Sequence, residues 1–216
     1  MRGLLVKDFR LILKQKYFLV VLLFIAFCLN MNSDSGFAIG YMTFVSAFLV
    51  LNTISYDEYD NGYPFLFTLP VERKTYAIEK YVFGLLAGAI AWVIGVLISL
   101  VQSVMGKGLP MQELLKICPV FIGIVILLMA VMIPFPLIFG REKGLIVTFV
   151  AMGMLVLVAY LTEKLCESRG MDVDQLVDTL SALNLGLLEL AFCAGALVLF
   201  LVSCGICVAC VKKKEY

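Results

Sequence analysis

Cys207 and Cys210 have the two-residue spacing of a thiol pair, which is the first pattern in this 216-residue chain that suggests chemistry. Redox and metal sites use this spacing. Cys204 adds a third thiol on the same flank of the last apolar run. Small residues, cysteine among them, also favour close packing of membrane helices. We therefore interpret these thiols as structural and predict no metal site.

Histidine is absent from the chain, which removes the commonest general base and metal ligand. The sequence also contains no G-x-x-x-x-G-K-[ST] phosphate loop and no G-x-S-x-G nucleophile elbow. We predict no catalytic residue and no cofactor on this chain. Any energy for work must come from a partner or from a gradient.

Glu189 is the one acidic residue placed inside an apolar run. A carboxylate at the centre of a membrane helix costs about 2.5–3.5 kcal/mol, so such a residue is a functional candidate. Because Glu189 lies near the start of its run, two alternatives stay open: an interfacial residue touching headgroups, or one lining a pore or a subunit interface. Asn52 and Gln102 are predicted to form hydrogen bonds between helices.

The amino-acid composition indicates which class of protein holds these residues in place. Hydrophobic residues make up 62% and charged residues 15% of the chain, and the mean hydropathy is +1.04. Globular proteins average roughly 45–50% apolar and about 25% charged residues. The sequence therefore indicates an integral membrane protein, and nothing in it supports nucleic-acid binding. The scarcity of charge within the apolar runs also argues against a membrane-embedded enzyme.

The fold class predicted is all-α, a single permease domain over residues 1–216 with six transmembrane helices. Apolar runs of suitable length are Tyr17–Met31, Phe37–Ile54, Tyr81–Met105, Ile117–Phe139, Gly144–Leu161 and Leu185–Val211. The first run has a short uncharged core, so a five-span arrangement remains an alternative.

Residues 1–16 precede the first run and form an amphipathic pattern. Leu5, Phe9 and Ile12 share one helical face, and Lys7 and Arg10 lie on the opposite stripe. We predict an interfacial helix in the headgroup plane. The alternatives are a straight extension of the first span and a secretory signal.

The distribution of basic residues predicts the topology. Thirteen of the 17 Lys and Arg residues lie in residues 1–16, 55–80, 140–143 and 212–214, which share one side if six spans alternate. The positive-inside rule then makes both termini cytoplasmic. The connection 162–186 is acidic with apolar residues at helical spacing, which predicts an external amphipathic segment.

The cytoplasmic segment 55–80 has the composition of a contact surface. Acidic and aromatic residues surround a glycine break in its first half: Asp57, Glu58, Tyr59, Asp60, Gly62, Tyr63 and Phe65. Aromatic anchors with charged rims are typical of protein interfaces. The alternative is an interfacial turn with belt aromatics. Leu69 and Pro70 then form an extended link, since proline disfavours helix at the preceding residue, and the chain returns through Arg73 and Lys80.

Two strings resemble permeases of the type-2 ATP-binding-cassette (ABC) exporters. The first is D-E-Y-D-N-G-Y-P-F-L-F-T-L-P-V-E-R-K-T-Y-A-I-E-K after the second run. The second is P-F-P-L-I-F-G-R-E-K-G, which closes the fourth run and contains Pro134, Pro136, Gly140, Arg141 and Lys143. With the six runs and the N-terminal helix, the resemblance covers essentially the whole chain.

The resemblance implies a transport subunit without its own ATPase. Two such permeases, a homodimer or a pair with a close paralogue, assemble with separate nucleotide-binding subunits that hold ATP and Mg. A coupling helix after the second span contacts the ATPase, and the match assigns that role to Asp57–Phe67. Arg73 and Lys80 would brace the acidic residues or bind headgroups. The implied location is a bacterial cytoplasmic membrane.

The compact length is similar to that of small bacterial exporters for amphipathic peptide toxins or antimicrobial peptides, such as the phenol-soluble modulin exporters. We therefore expect an amphipathic peptide as the substrate. The alternatives are a permease for lipids or drugs, and a non-transporting membrane anchor or immunity protein.

Overall fold

The computed structural model of the chain describes residues 2–30, 36–59, 72–106, 110–168 and 185–213. In these ranges the regular elements are α-helices. They are α1 (Arg2–Lys14), α2 (Lys16–Asn30), α3 (Phe37–Glu58), α4 (Arg73–Val104), α5 (Met111–Met132), α6 (Pro134–Phe139), α7 (Arg141–Ser168) and α8 (Leu185–Lys213).

Five helical segments are long and apolar enough to cross a membrane: α3, α4, α5 with α6, α7 and α8. The first two helices, α1 and α2, pass that test only as a pair, and the pair is bent by 70°. The count is therefore five spans, or six if the bent pair forms one. An all-helical membrane protein is confirmed for the described residues, while the choice of six spans stays a prediction.

The bend separates α1 from the first predicted span, so a straight extension is wrong. Leu4 and Asp8 of α1 are buried, and Phe9 packs edge-on against Phe83 of α4 with 5.3 Å between ring centroids. Arg10 and Lys14 are exposed on the other side. The apolar face of α1 thus packs against the helices of the protein itself.

Helix α4 is central to the packing, and it contacts α3 and α5 through small residues. Gly84, Gly88, Ala91 and Gly95 are buried along one stripe of α4. A Cβ at Gly95 would lie 2.8 Å from the Cα of Ile39 in α3. Such close backbone approach is how membrane helices gain van der Waals contact without a hydrophobic driving force between them.

Hydrogen bonds between helices satisfy polar groups that the packing buries. The Gln102 side chain of α4 donates to the Phe27 carbonyl of α2 at 3.0 Å, which confirms its predicted interhelical bond. Trp92 Nε1 donates to the Cys118 carbonyl of α5 at 3.1 Å. Tyr81 shares a 2.9 Å hydrogen bond with Ser203 of α8. These bonds tie α4 to three of its neighbours.

The fourth predicted run is not one continuous helix. Helix α5 ends at Met132, and α6 begins at Pro134. The backbone nitrogen of proline carries no hydrogen, so it cannot make the hydrogen bond of a helix interior. The third run also begins earlier than Tyr81, since α4 is continuous from Arg73. The external segment predicted at 162–186 lies mostly outside the described residues, although α7 extends to Ser168.

The close approach at Gly95 predicts a stability difference between two glycine substitutions. Gly95→Ala should lower the free energy of unfolding by about 1–3 kcal/mol, because the added methyl group forces α3 and α4 apart. Gly153→Ala is the matched control, because a Cβ there meets nothing within 4 Å. Thermal unfolding of the purified proteins in detergent measures both. Equal melting temperatures for the two variants would contradict the packing described here.

Candidate functional site

Four charged residues from three helices meet at the end of α3. This ion cluster consists of Lys7 and Asp8 of α1, Asp57 of α3 and Lys80 of α4. The Lys80 ammonium lies 2.7 Å from Asp57 Oδ2 and also contacts Asp8. The Lys7 ammonium contacts Asp57 Oδ1 and lies 3.2 Å from Asp8 Oδ1. Each charge therefore has two neighbours of opposite sign.

The ion cluster is largely removed from solvent. The side chains of Asp8 and Lys80 are 0% exposed and that of Asp57 is 5% exposed, and Tyr76 donates a 3.0 Å hydrogen bond to Asp57 Oδ2. Burial lowers the pKa of Lys7, but the carboxylates of Asp57 and Asp8 outweigh it, so its pKa stands above the ordinary value. Removing charges from water costs several kcal/mol per ion unless they are paired. The pairing thus holds α1, α3 and α4 in one arrangement.

Glu79 precedes Lys80 and is also fully buried, yet it is not part of this pairing. Neither of its carboxylate oxygens has a hydrogen-bond partner among the described residues. An unsatisfied buried polar group costs roughly 1–3 kcal/mol, and more when it is charged. Glu79 is therefore a local cost to stability beside a stabilising cluster.

A second contact joins the end of α3 to the start of α7. The Glu58 carboxylate accepts a hydrogen bond from the Arg141 backbone N–H, and the Arg141 guanidinium lies 5.4 Å from the centre of the Tyr59 ring. Gly140 has φ +81°, and a Cβ there would lie 2.7 Å from Glu58 Oε1. A carboxylate at a helix N-terminus is favourable. The two sequence strings that carried the family resemblance thus meet in space.

The predicted docking residues fall into two groups. Of those that the structure describes, Asp57 is buried, Glu58 is partly buried and Tyr59 is 59% exposed. The others lie outside the described residues: Asp60, Gly62, Tyr63, Phe65, Leu69 and Pro70.

Of the two predicted return residues in α4, Lys80 is buried and its ammonium lies 2.7 Å from Asp57 Oδ2. Arg73 is partly exposed at the first position of α4.

The remaining candidates lie away from the ion cluster. Pro136 is buried in α6 and Lys143 is exposed in α7. Glu189 is partly exposed near the start of α8, and its role stays a prediction. Cys207 is buried whereas Cys210 is exposed, so the two thiols face different surroundings. Among the described residues no group of three or more His, Cys, Asp or Glu could hold a metal ion.

Sequence reasoning missed Asp8, Lys7, Tyr76 and Glu79 as site residues. For Asp8 a signal was available, because it lies one helical turn from both Leu4 and Ile12 and so belongs to the apolar face of α1. An acid on the apolar face of a basic helix calls for a buried cation. Nothing local indicated that this cation is Lys80, which is 72 residues away.

A cavity of about 560 Å³ lies between α2, α3 and α7. Its lining is mostly apolar and includes aromatic residues such as Phe18, Phe48 and Phe149. Asn52 and Arg141 add polar groups to the lining. The cavity therefore offers an aromatic surface with a polar, cationic component.

These features define a polytopic helical membrane protein. Its buried charges join the helices that precede and follow residues 60–71, a part of the chain called segment 60–71 below. The chain belongs to the ABC-2 transporters: the family model described as "ABC-2 family transporter protein" matches residues 3–212. Proteins of this family are membrane permease components of ABC transporters, and the family implies an ABC ATPase as partner. No curated protein and no solved structure matches the chain significantly.

Asp8 and Glu79 allow a direct comparison, because both carboxylates are fully buried and only Asp8 contacts a cation. Asp8→Asn should lower the free energy of unfolding by about 3–5 kcal/mol, since it leaves Lys80 with an uncompensated charge. Glu79→Gln should leave it unchanged or raise it. Thermal unfolding in detergent measures both variants. An equal loss of stability in both would show that the ion cluster does not hold the three helices together.

Proposed function

We propose that the chain is the permease subunit of an ATP-driven exporter that works with a separate nucleotide-binding subunit and a second permease copy. The observation that carries the proposal is the link between the two ends of segment 60–71. Asp57 before the segment binds Lys80 after it at 2.7 Å. A force applied to the segment would therefore reach α3 and α4 together.

Further contacts connect the helices beside the segment to other helices of the bundle. Lys7 and Asp8 connect the ion cluster to α1, and Glu58 connects the end of α3 to α7. Docking and movement of an ATPase at the segment would shift these helices as rigid bodies. In this scheme Asp57 is an internal anchor, and the contact surface consists of Glu58, Tyr59 and the residues that follow up to Phe67.

We further propose that a second permease copy packs against α7. Only 12% of its most apolar stretch is buried within the described chain, the lowest share among the five candidate spans. Phe149 and Met154 are 56% and 62% exposed on this helix. The proposed orientation places both termini in the cytoplasm of a bacterial cell, as the distribution of basic residues indicates.

For the substrate, we propose an amphipathic peptide. The aromatic cavity between α2, α3 and α7 would accept apolar side chains, and Asn52 and Arg141 would bind a polar or anionic part of the peptide. Export assays in vesicles, in which labelled peptides compete with lipid and drug substrates, distinguish this class from the alternatives. Transport of lipid or drug without peptide would contradict the substrate assignment. Transport of none of them by the confirmed complex would favour a non-transporting anchor.

The docking proposal predicts unequal effects of two exposed tyrosines. Tyr59 and Tyr160 are both 59% exposed, but Tyr160 lies on α7, far along the helix from Arg141. Tyr59→Ala should weaken binding of the cognate ATPase roughly tenfold or more if Tyr59 is an interface anchor. Tyr160→Ala should leave it unchanged. Co-purification with the cognate P-loop ATPase, and the ATP turnover of the complex, measure both.

Tyr63→Ala extends this test into the segment itself. If a confirmed cognate ATPase bound both Tyr59→Ala and Tyr63→Ala as tightly as the original protein, the segment would not be the docking site. Melting temperatures of the variants serve as the control for folding.

A further inference from the structure

Glu79 of α4 is a buried acid that the ion cluster does not use. Its side chain is 0% exposed, and neither carboxylate oxygen has a hydrogen-bond partner among the described residues. An ionised carboxylate in this position would lose its hydration and gain no hydrogen bond in return. The neutral acid loses far less hydration than the ion does.

The charges around Glu79 are already balanced. Its charged neighbours are two cations and two anions: Lys7 and Asp8 of α1, Asp57 of α3 and Lys80 of α4. Each ammonium group contacts both aspartates. An ionised Glu79 would be a third carboxylate beside two ammonium groups and would leave a net negative charge in a buried place. A proton on Glu79 keeps the whole group neutral.

Further titratable groups near the start of α4 are Tyr76 and Tyr81 of α4 itself, and Cys204 and Cys207 of α8. The Tyr76 hydroxyl donates to Asp57. Both cysteines interact with Tyr81, which lies two residues after Glu79 and so on the opposite side of the helix. Helix α5 contributes apolar side chains such as Met129 to this region. The ion cluster is thus the charged environment that Glu79 meets.

Helix α1 covers the face of α4 that carries Glu79. Phe83 lies one helical turn after Glu79 and packs against Phe9 of α1. Farther along α4 the same face is open, since Leu86 and Ile90 are 43% and 48% exposed. The burial of Glu79 therefore depends on α1, and water reaches its carboxyl group when α1 moves away.

We propose that Glu79 binds a proton while α1 packs against α4, and that its O–H bond breaks and the proton passes to water when α1 moves away. The carboxylate that forms is hydrated in the open arrangement. Because α1 supplies Lys7 and Asp8 to the ion cluster, the pH of the surrounding solution sets how firmly this cluster holds the three helices. The inference does not depend on the transport function proposed above.

The direction of the pH effect follows from proton uptake. A hydrated glutamate ionises above about pH 4.3, so the closing of α1 over Glu79 takes up a proton at neutral pH. The closed arrangement has its full stability below that pH and loses stability as the pH rises. The loss is at most about tenfold in the closing equilibrium per pH unit, which corresponds to one proton.

Hydrogen–deuterium exchange of the α1 amides, measured by mass spectrometry on the full chain in detergent, reports the opening of α1. In the original protein the protection factors of α1, corrected for intrinsic exchange, should fall roughly tenfold between about pH 6 and about pH 8. In Glu79→Gln they should stay constant, because the glutamine side chain has no proton to release. Glu72→Gln removes an exposed acid just before α4 and is the matched control, which should behave like the original protein.

Infrared difference spectra between about pH 6 and about pH 9 detect the proton itself, because hydrated carboxyl groups are already ionised in this range. The original protein and Glu72→Gln should lose the carbonyl stretch of a protonated carboxyl group as the pH rises, and Glu79→Gln should show no such band. Equal pH dependence of α1 protection in the original protein and in Glu79→Gln would overturn the proposal. If Glu79→Gln does not fold, the original protein still decides, since a missing band or a constant α1 protection would overturn the proposal as well.

Discussion

The structure depends on how charge is buried in a chain whose mean hydropathy is +1.04. Asp8 and Lys80 have no exposed side-chain surface, and such ions persist only beside opposite charges. Their alternation with Lys7 and Asp57 supplies those neighbours, but only if the middle of α1 lies against the end of α3 and the first turns of α4. The 70° bend between α1 and α2 meets this requirement, because it turns α1 toward Asp57.

Helix α4 makes two kinds of contact along its length, close packing in its apolar part and polar contacts in its first turns. Its glycine-rich stripe allows α3 and α5 to approach closely within the apolar part of the bundle. Its first turns carry Tyr76 and Lys80, which bind Asp57 by hydrogen bond and charge. Van der Waals contact sets the distance from α4 to α3 and α5. The ion pair and the hydrogen bond hold the first turns of α4 against the end of α3. Helix α7 makes fewer contacts with this unit: Glu58 binds its first residue, Phe149 packs against Phe48 of α3, and most of its length is exposed.

Local patterns in the sequence predicted the helical class and most apolar runs, because hydropathy and charge distribution are read over about 20 residues. Gln102 was predicted as an interhelical hydrogen-bond donor for the same reason: a lone amide in an apolar helix needs a partner. The pairing of Asp8 with Lys80 and of Asp57 with Lys7 could not be predicted, since these partners lie 72 and 50 residues apart and any of several lysines would serve. The break at Ile133 was missed because membrane helices tolerate proline when neighbours satisfy the backbone.

The separation of the clustered charges along the chain also sets an order for biogenesis. Lys7 and Asp8 are synthesised first, yet Asp57 follows 50 residues after Lys7 and Lys80 follows 72 residues after Asp8. Until Lys80 has been synthesised, the Asp8 carboxylate has only Lys7 of its own helix as a neighbour of opposite charge, and water must supply the rest of its stabilisation because charge is costly in lipid. The buried contact between Asp8 and Lys80 can therefore form only after the start of α4 has been made, so the final packing of α1 follows the synthesis of residue 80.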